Sequence, residues 1–200
     1  MEKYTEQEQA RRNSLNELIN MGHNPYPAEE FKITATSKEI KENYHSEKNN
    51  FQNVSLAGRI MSRRIMGKAS FVELKDFKGR IQLYLNRDEI CEGEDKSMYN
   101  KVFKKLLDIG DIIGVEGSVF KTKVGEISIM VKNIKVLSKS IKPLPIVKTD
   151  SEGVSHDAFK NTELRYRQRS LDLIVNDDAW GVFETRTKIF NIIRNKLNSV

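Results

Sequence analysis

Phe71 and Gln82 carry the chemistry that most needs explaining. They fall on two short alternating runs, 71–75 and 80–85, split by Asp76-Phe77-Lys78-Gly79, a tight-turn signal that makes the runs a hairpin. Alternate side chains of a strand share a face. Val72 and Leu74 match Ile81, Leu83 and Leu85 on an apolar face, which puts Phe71, Glu73 and Lys75 with Arg80, Gln82 and Tyr84 on the polar one. A four-residue loop sets Lys75 opposite Arg80, Glu73 opposite Gln82 and Phe71 opposite Tyr84. Phe71 and Gln82 are then diagonal neighbours about 7 Å apart. A two-residue turn keeps the shared face and lengthens the gap. A flat ring open to water is a platform for an unpaired base, worth about 1–3 kcal/mol. An amide beside it can both donate to and accept from a base edge.

The charge around the pair has a sign. Arg59, Arg63, Arg64 and Lys68 precede Phe71, and no acid occurs from Val54 to Val72. Cations beside a stacking platform form the electrostatic track of a single-strand binder. Glu126 opens a later strand with Ser128 and Met130 on its face, where a carboxylate could accept from a base amino group. The plainer reading packs Phe71 under a loop and leaves the cations solvated. Ring, amide and cations in one stretch favour nucleic acid.

Other chemistries find no residues. Cys91 is the single cysteine, which excludes an internal disulfide and a cysteine-built zinc site. His23, His45 and His156 share no ligand spacing, so no metal is expected. There is no glycine-rich phosphate loop, nucleophile elbow or paired catalytic carboxylate, so no catalytic residue is assigned. Of 200 residues, 34 are Lys or Arg and 28 Asp or Glu, a net charge of +6 that suits a polyanion partner. With 38% apolar residues the chain can build a modest core, but no apolar run approaches a membrane span. The first residues lack a secretory signal, and the expected compartment is the cytoplasm.

The elements that must hold the pair follow from capping and period. Thr5 and Glu8 have capping-box spacing and start a helix that Gly22 closes. Thr36 and Glu39 start a second, shorter one with Ile40 and Tyr44 on one face. Val54 to Ile60 alternates as a strand; 71–75 and 80–85 are the hairpin; Met98 to Ile109 is helical and ends at Gly110. Strands return at Ile112–Phe120 and Glu126–Leu137. Three strands, a helix and two strands is the order of an OB-fold, a five-stranded Greek-key barrel. Gly58, Gly114 and Gly117 suit its corners. Residues 138–163 read as a linker, 165–169 as a basic helical segment, and 179–200 as a final helix with Phe183, Phe190, Ile193 and Leu197 on one face. The expected fold is mainly β with helical additions. Its divisions are a helical extension over 1–50, the barrel over 51–140, a hinge over 141–163 and a helical region over 164–200.

The stretch Val54-Ser55-Leu56-Ala57-Gly58-Arg59-Ile60-Met61-Ser62-Arg63-Arg64-Ile65-Met66-Gly67-Lys68-Ala69-Ser70-Phe71 closely resembles the opening of the anticodon-binding barrel of bacterial-type class II lysyl-tRNA synthetases. Arg80-Ile81-Gln82-Leu83-Tyr84, Phe120-Lys121-Thr122-Lys123 with Gly125-Glu126, Lys142-Pro143-Leu144-Pro145 and Arg165-Tyr166-Arg167-Gln168-Arg169 follow in the family's order. The resemblance implies that Phe71 stacks on the central uracil of the lysine anticodon and that Gln82 bonds its edge. Arg63 would support that base or its phosphate, Glu126 would meet a neighbouring base, and Arg59, Arg64 and Lys68 would form the basic track. It also implies that 164–200 begins a class II catalytic domain and that Val200 falls inside its first motif's helix. These residues would then bind tRNA(Lys) without catalysing. The parent enzyme would be a homodimer using ATP and Mg2+, and the stripe from Phe183 to Leu197 would be interface. Ser170 stands where the family usually has Tyr. Two rivals remain: a free-standing OB-fold protein that binds single strands without sequence choice, and the aspartyl or asparaginyl relative.

Overall fold

The computed structural model describes residues 4–48, 50–145, 148–149, 155–156 and 159–199. The chain divides into two compact units, Met1–Pro143 and Leu144–Val200.

The first unit is built on five strands, β1 (Val54–Met66), β2 (Ala69–Lys75), β3 (Arg80–Asn86), β4 (Ile112–Lys121) and β5 (Ile127–Ser138). They close into a barrel in the order β1-β2-β3-β5-β4, with β4 returning to β1. Only β3 and β5 run parallel. This is the expected Greek-key barrel with its helix between the third and fourth strands. Strict alternation on β2 and β3 sends Val72, Leu74, Ile81, Leu83 and Leu85 inward. They meet Leu56, Ile60, Ile113, Val115, Ile129 and Val131 in one core. Burying each such side chain contributes about 1.5–3 kcal/mol. Two glycines sit where a side chain has no room. A Cβ on Gly117, beside an irregularity in the β4–β5 register, would stand 1.9 Å from the Met130 carbonyl oxygen, and one on Gly114 would enter the Phe31 ring.

A short helix, α3 (Arg87–Ile90), follows β3, and Met98–Leu106 is a helix three residues shorter than expected and wound as a π-helix. Beyond its end the Leu107 N–H reaches back five residues to the Val102 carbonyl. The wide winding still gathers Tyr99, Val102, Phe103 and Leu106 on one buried face, closing the barrel end. Helix α1 (Glu6–Asn20) packs on it, and both hydrogen bonds of the Thr5–Glu8 box are made. Its apolar stripe buries only Leu18. Arg11 supplies further anchorage, donating to the carbonyls of Ile109, Ser140 and Lys142. Helix α2 (Ser37–Asn43) carries the second capping box and buries Ile40. Ser37 donates from its amide and hydroxyl to Asp76 at 2.6 and 2.7 Å, tying α2 to the β2–β3 turn.

Below the barrel lies a buried charge cluster. Lys139 donates to Asp108 at 2.6 Å and to Asp111 at 2.9 Å, and neither Lys139 nor Asp111 exposes any side chain. The amides of Asp108 and Ser140 also donate to Asp111. Burial raises the Asp111 carboxyl above its ordinary value, against the opposing pull of Lys139 and these amides.

In the second unit, α4 (Thr162–Arg167), α5 (Arg169–Val175) and α6 (Asp177–Asn198) replace the basic segment and single final helix of the sequence reading. The breaks fall at Gln168 and Asn176. The supposed linker contains a two-stranded pair, Lys148–Thr149 with Ser155–His156, while 150–154 lie outside the described residues. Asp172 is buried and accepts from Arg165 at 2.7 Å, from Asn176 at 2.7 Å and from Arg169. Burial alone would raise its carboxyl, but the Asn176 and Arg165 hydrogen bonds and the two guanidinium charges lower it. The linked stability is present above the unfolded value of about 3.9 and lost as pH falls through the lower folded one. Asp172→Asn is expected to destabilise this unit by about 1–3 kcal/mol at neutral pH. The gap from wild type should close on acidification below about pH 4, read by amide hydrogen exchange in α5. Among the described residues no helix is long and apolar enough to cross a membrane.

Candidate nucleic-acid interface

The β2–β3 register pairs Lys75 with Arg80, Glu73 with Gln82 and Phe71 with Tyr84. This is the four-residue-loop alternative. Asp76 fixes the loop by accepting from the amides of Lys78 and Gly79, both at 2.8 Å. Phe71 is half-buried on the outer wall, its ring 5.2 Å from that of Tyr84, which in turn meets Phe120 edge-on at 5.9 Å. One side of the platform is therefore backed by aromatic packing.

Above it opens a cleft of about 520 Å³. Phe71, Gln82 and Glu126, brought in by β2, β3 and the β4–β5 turn, all line it. Gln82 pairs with Ser128 on β5, whose hydroxyl donates to the Gln82 carbonyl oxygen at 2.8 Å. Glu126 stands at the rim, half-exposed, with Lys41 of α2 at 3.7 Å. Glu73 and Arg80 form a further ion pair at 3.2 Å. Across the cleft three cations, Lys41, Arg64 and Arg80, face two carboxylates.

The basic residues divide in a way that simple alternation does not give. The β1–β2 register jumps from Ile60–Leu74 to Ser62–Glu73, leaving Met61 as an extra residue. Such a bulge exchanges the two faces of a strand from that point on. Ser62, Arg64 and Met66 thus turn to the cleft, and Arg64 stands opposite Phe71. Arg63 turns away and donates to the Phe103 carbonyl at 3.3 Å and to that of Leu107, at the end of the π-helix. It does not join Phe71. Arg59 is also taken, donating to the Gly110 carbonyl at 2.7 Å. Lys68 is exposed near the β1–β2 turn, outside the residues lining the cleft. From the sequence Arg64 has only a supporting place and Arg80 shares the face of Phe71 without a role, while Lys41 and Thr122 on the cleft wall are not foreseen. Lys41 arrives from a separate helix and Arg64 through a bulge, and neither leaves a local signal.

The tRNA anti-codon family model, an OB-fold nucleic acid binding domain, matches residues 54–137. A lysine–tRNA ligase of Christiangramia forsetii is 57% identical over 198 residues, 99% of this chain and 34% of the relative. One of Porphyromonas gingivalis is 54% identical over 195 residues, covering 97% of the chain and 34% of the relative. One of Azobacteroides pseudotrichonymphae is 54% identical over 194 residues, covering 97% and 38%. The chain spans about a third of the length of these curated relatives. Over nearly its whole length the chain is thus a homologue of the matching third of these lysine–tRNA ligases, and its barrel is an OB-fold nucleic acid binding domain of the tRNA anti-codon family.

Proposed function

We infer that this chain reads the anticodon loop of tRNA(Lys), as the RNA-recognising part of a lysine–tRNA ligase. The observation that carries the reading is the Phe71 ring at the floor of a polar cleft, with Gln82 and Arg64 on its walls. An unstacked base lies on the ring, the amide meets its edge, and Arg64 meets the adjoining phosphate. Glu126 accepts from a neighbouring base once Lys41 shifts toward the backbone.

On this reading the whole protein activates lysine with ATP and Mg2+ and transfers it to tRNA, as a homodimer in the cytoplasm. The names of the relatives support the activity. The exposed Ile189, Phe190, Ile193 and Leu197 on α6 support an interface there. The chain spans about a third of these relatives' length, and the activation chemistry is proposed for the rest of the whole protein. Division into an extension over 1–50, a barrel over 51–140, a hinge over 141–163 and a catalytic start over 164–200 is proposed with it.

The test is affinity for the lysine anticodon hairpin against one of scrambled loop sequence. Equal affinities would leave a single-strand binder without choice and reject the reading. Within the same assay the two adjacent arginines should separate. Arg64→Ala is expected to lower the salt slope by about 0.7–1, one phosphate contact. Arg63→Ala should leave the slope alone and instead cost about 1–3 kcal/mol of stability, because two helix-end carbonyls lose their donor. A reversed pattern in binding and thermal melts would refute the bulge-set assignment.

A further inference from the structure

We propose that Ser128 is a positioning residue that makes the cleft select a base carrying a carbonyl at its edge over one carrying an amino group. The inference rests on the reading of the cleft as a base site.

Ser128 lies on β5 between Gln82 of β3 and Phe120 of β4, paired to both, and is completely buried. Its hydroxyl donates to the Gln82 carbonyl oxygen at 2.8 Å. A carboxamide can turn end for end with almost no change in shape, so by itself Gln82 would offer either a donor or an acceptor to a ligand. Ser128 removes that freedom. If the amide turned over, its NH2 would donate to the serine oxygen and the serine hydroxyl would lose the one side-chain acceptor it has here. A buried donor without a partner is disfavoured. Among the described residues Ser128 makes no other side-chain hydrogen bond. The hydroxyl therefore holds the carbonyl end of Gln82 inward and leaves the NH2 for the cleft. An NH2 group pairs with the carbonyl of uracil and opposes the amino group that cytosine places at the same ring position. Phe71 stacks on either ring and contributes no choice. The selection thus comes from a buried residue that a bound base need not touch.

The experiment measures dissociation constants of the 200-residue chain for RNA hairpins that share one stem and differ only in the central loop base. The wild type is expected to bind the uracil hairpin at least about tenfold tighter than the cytosine hairpin, as one good base-edge pair gives. In Ser128→Ala, with its fold checked by circular dichroism, the ratio should fall to within about threefold, largely because cytosine binds better. A purely structural loss would weaken both hairpins together and keep the ratio. Gln82→Glu covers the case in which Ser128→Ala fails to fold. The Ser128 hydroxyl then holds one carboxylate oxygen, the other faces the cleft as an acceptor, and the preference should invert toward cytosine. A Ser128→Ala variant that keeps the full ratio, or a Gln82→Glu variant that still prefers uracil, overturns the proposal. A wild type that binds no hairpin overturns the base-site reading first, and this inference with it.

Discussion

Phe71→Ala is expected to weaken binding of the lysine anticodon hairpin by about 1–3 kcal/mol, some five- to 150-fold, while the protein remains folded. The ring stands on the outer wall, half-buried, and is not among the fully buried core side chains. Its removal therefore opens no internal cavity and costs stability mainly through the lost contact with Tyr84 at 5.2 Å. That contact is worth about 0.5–1.5 kcal/mol. Phe71→Tyr keeps the flat face and should bind nearly as well as wild type. Phe71→Leu keeps apolar bulk without a π surface and should resemble alanine in binding while melting closer to wild type. If leucine rescued affinity as well as tyrosine does, the ring would be acting as packing and not as a platform. Fluorescence anisotropy for binding and thermal melts for stability separate the two quantities.

Lys139→Met should be the most damaging single change to the barrel, at about 3–5 kcal/mol near neutral pH. Methionine fills much of the same volume, so the loss reports the charge. Asp111 would remain fully buried with two backbone amides as donors and no cation at 2.9 Å. The pH dependence has a definite sign. Burial already raises the Asp111 carboxyl, and removing Lys139 raises it further. Stability linked to a raised acid is complete below the unfolded value of about 3.9 and is lost as pH climbs through the folded one. The deficit of the variant should thus be largest at neutral pH and shrink toward about pH 4. Adding Asp111→Asn should recover part of the stability at neutral pH. The segment after α1 should loosen only as far as the backbone at 139 shifts, because the Lys139 main-chain carbonyl accepts from the Tyr26 hydroxyl at 2.8 Å and the Lys139 main-chain amide donates to the Pro25 carbonyl. Denaturant melts across pH would contradict this account if the deficit grew on acidification.

The parts legible in the sequence are those set by local rules. Both capping boxes are made, and alternation alone sets the two faces of the hairpin, whose four-residue turn is one of the two alternatives the sequence leaves open. That alternation brings Phe71 and Gln82 to one face with either turn length. The order of strands and helix gave the barrel. What stayed hidden depends on single residues or long-range contacts. One extra residue at Met61 exchanges Arg63 and Arg64 between the faces, and period-2 patterning cannot register it when both faces carry arginine. The π-winding of Met98–Leu106 preserves a helical apolar pattern, so its sequence reads as an ordinary helix. Arg59 has a nearby carbonyl to satisfy, at Gly110, which composition does not reveal. Lys41 reaches the cleft because Ser37 and Asp76 dock α2 on the hairpin turn.

The most direct measurement is an NMR spectrum of the complex with the lysine anticodon hairpin, observing Overhauser contacts between the Phe71 ring protons and the protons of the central loop base. Contacts are expected from Phe71 to H5 and H6 of that one pyrimidine, with both protons moved upfield by the ring. Contacts from the central base to another part of the barrel, with the Phe71 ring protons unmoved on binding, would contradict it.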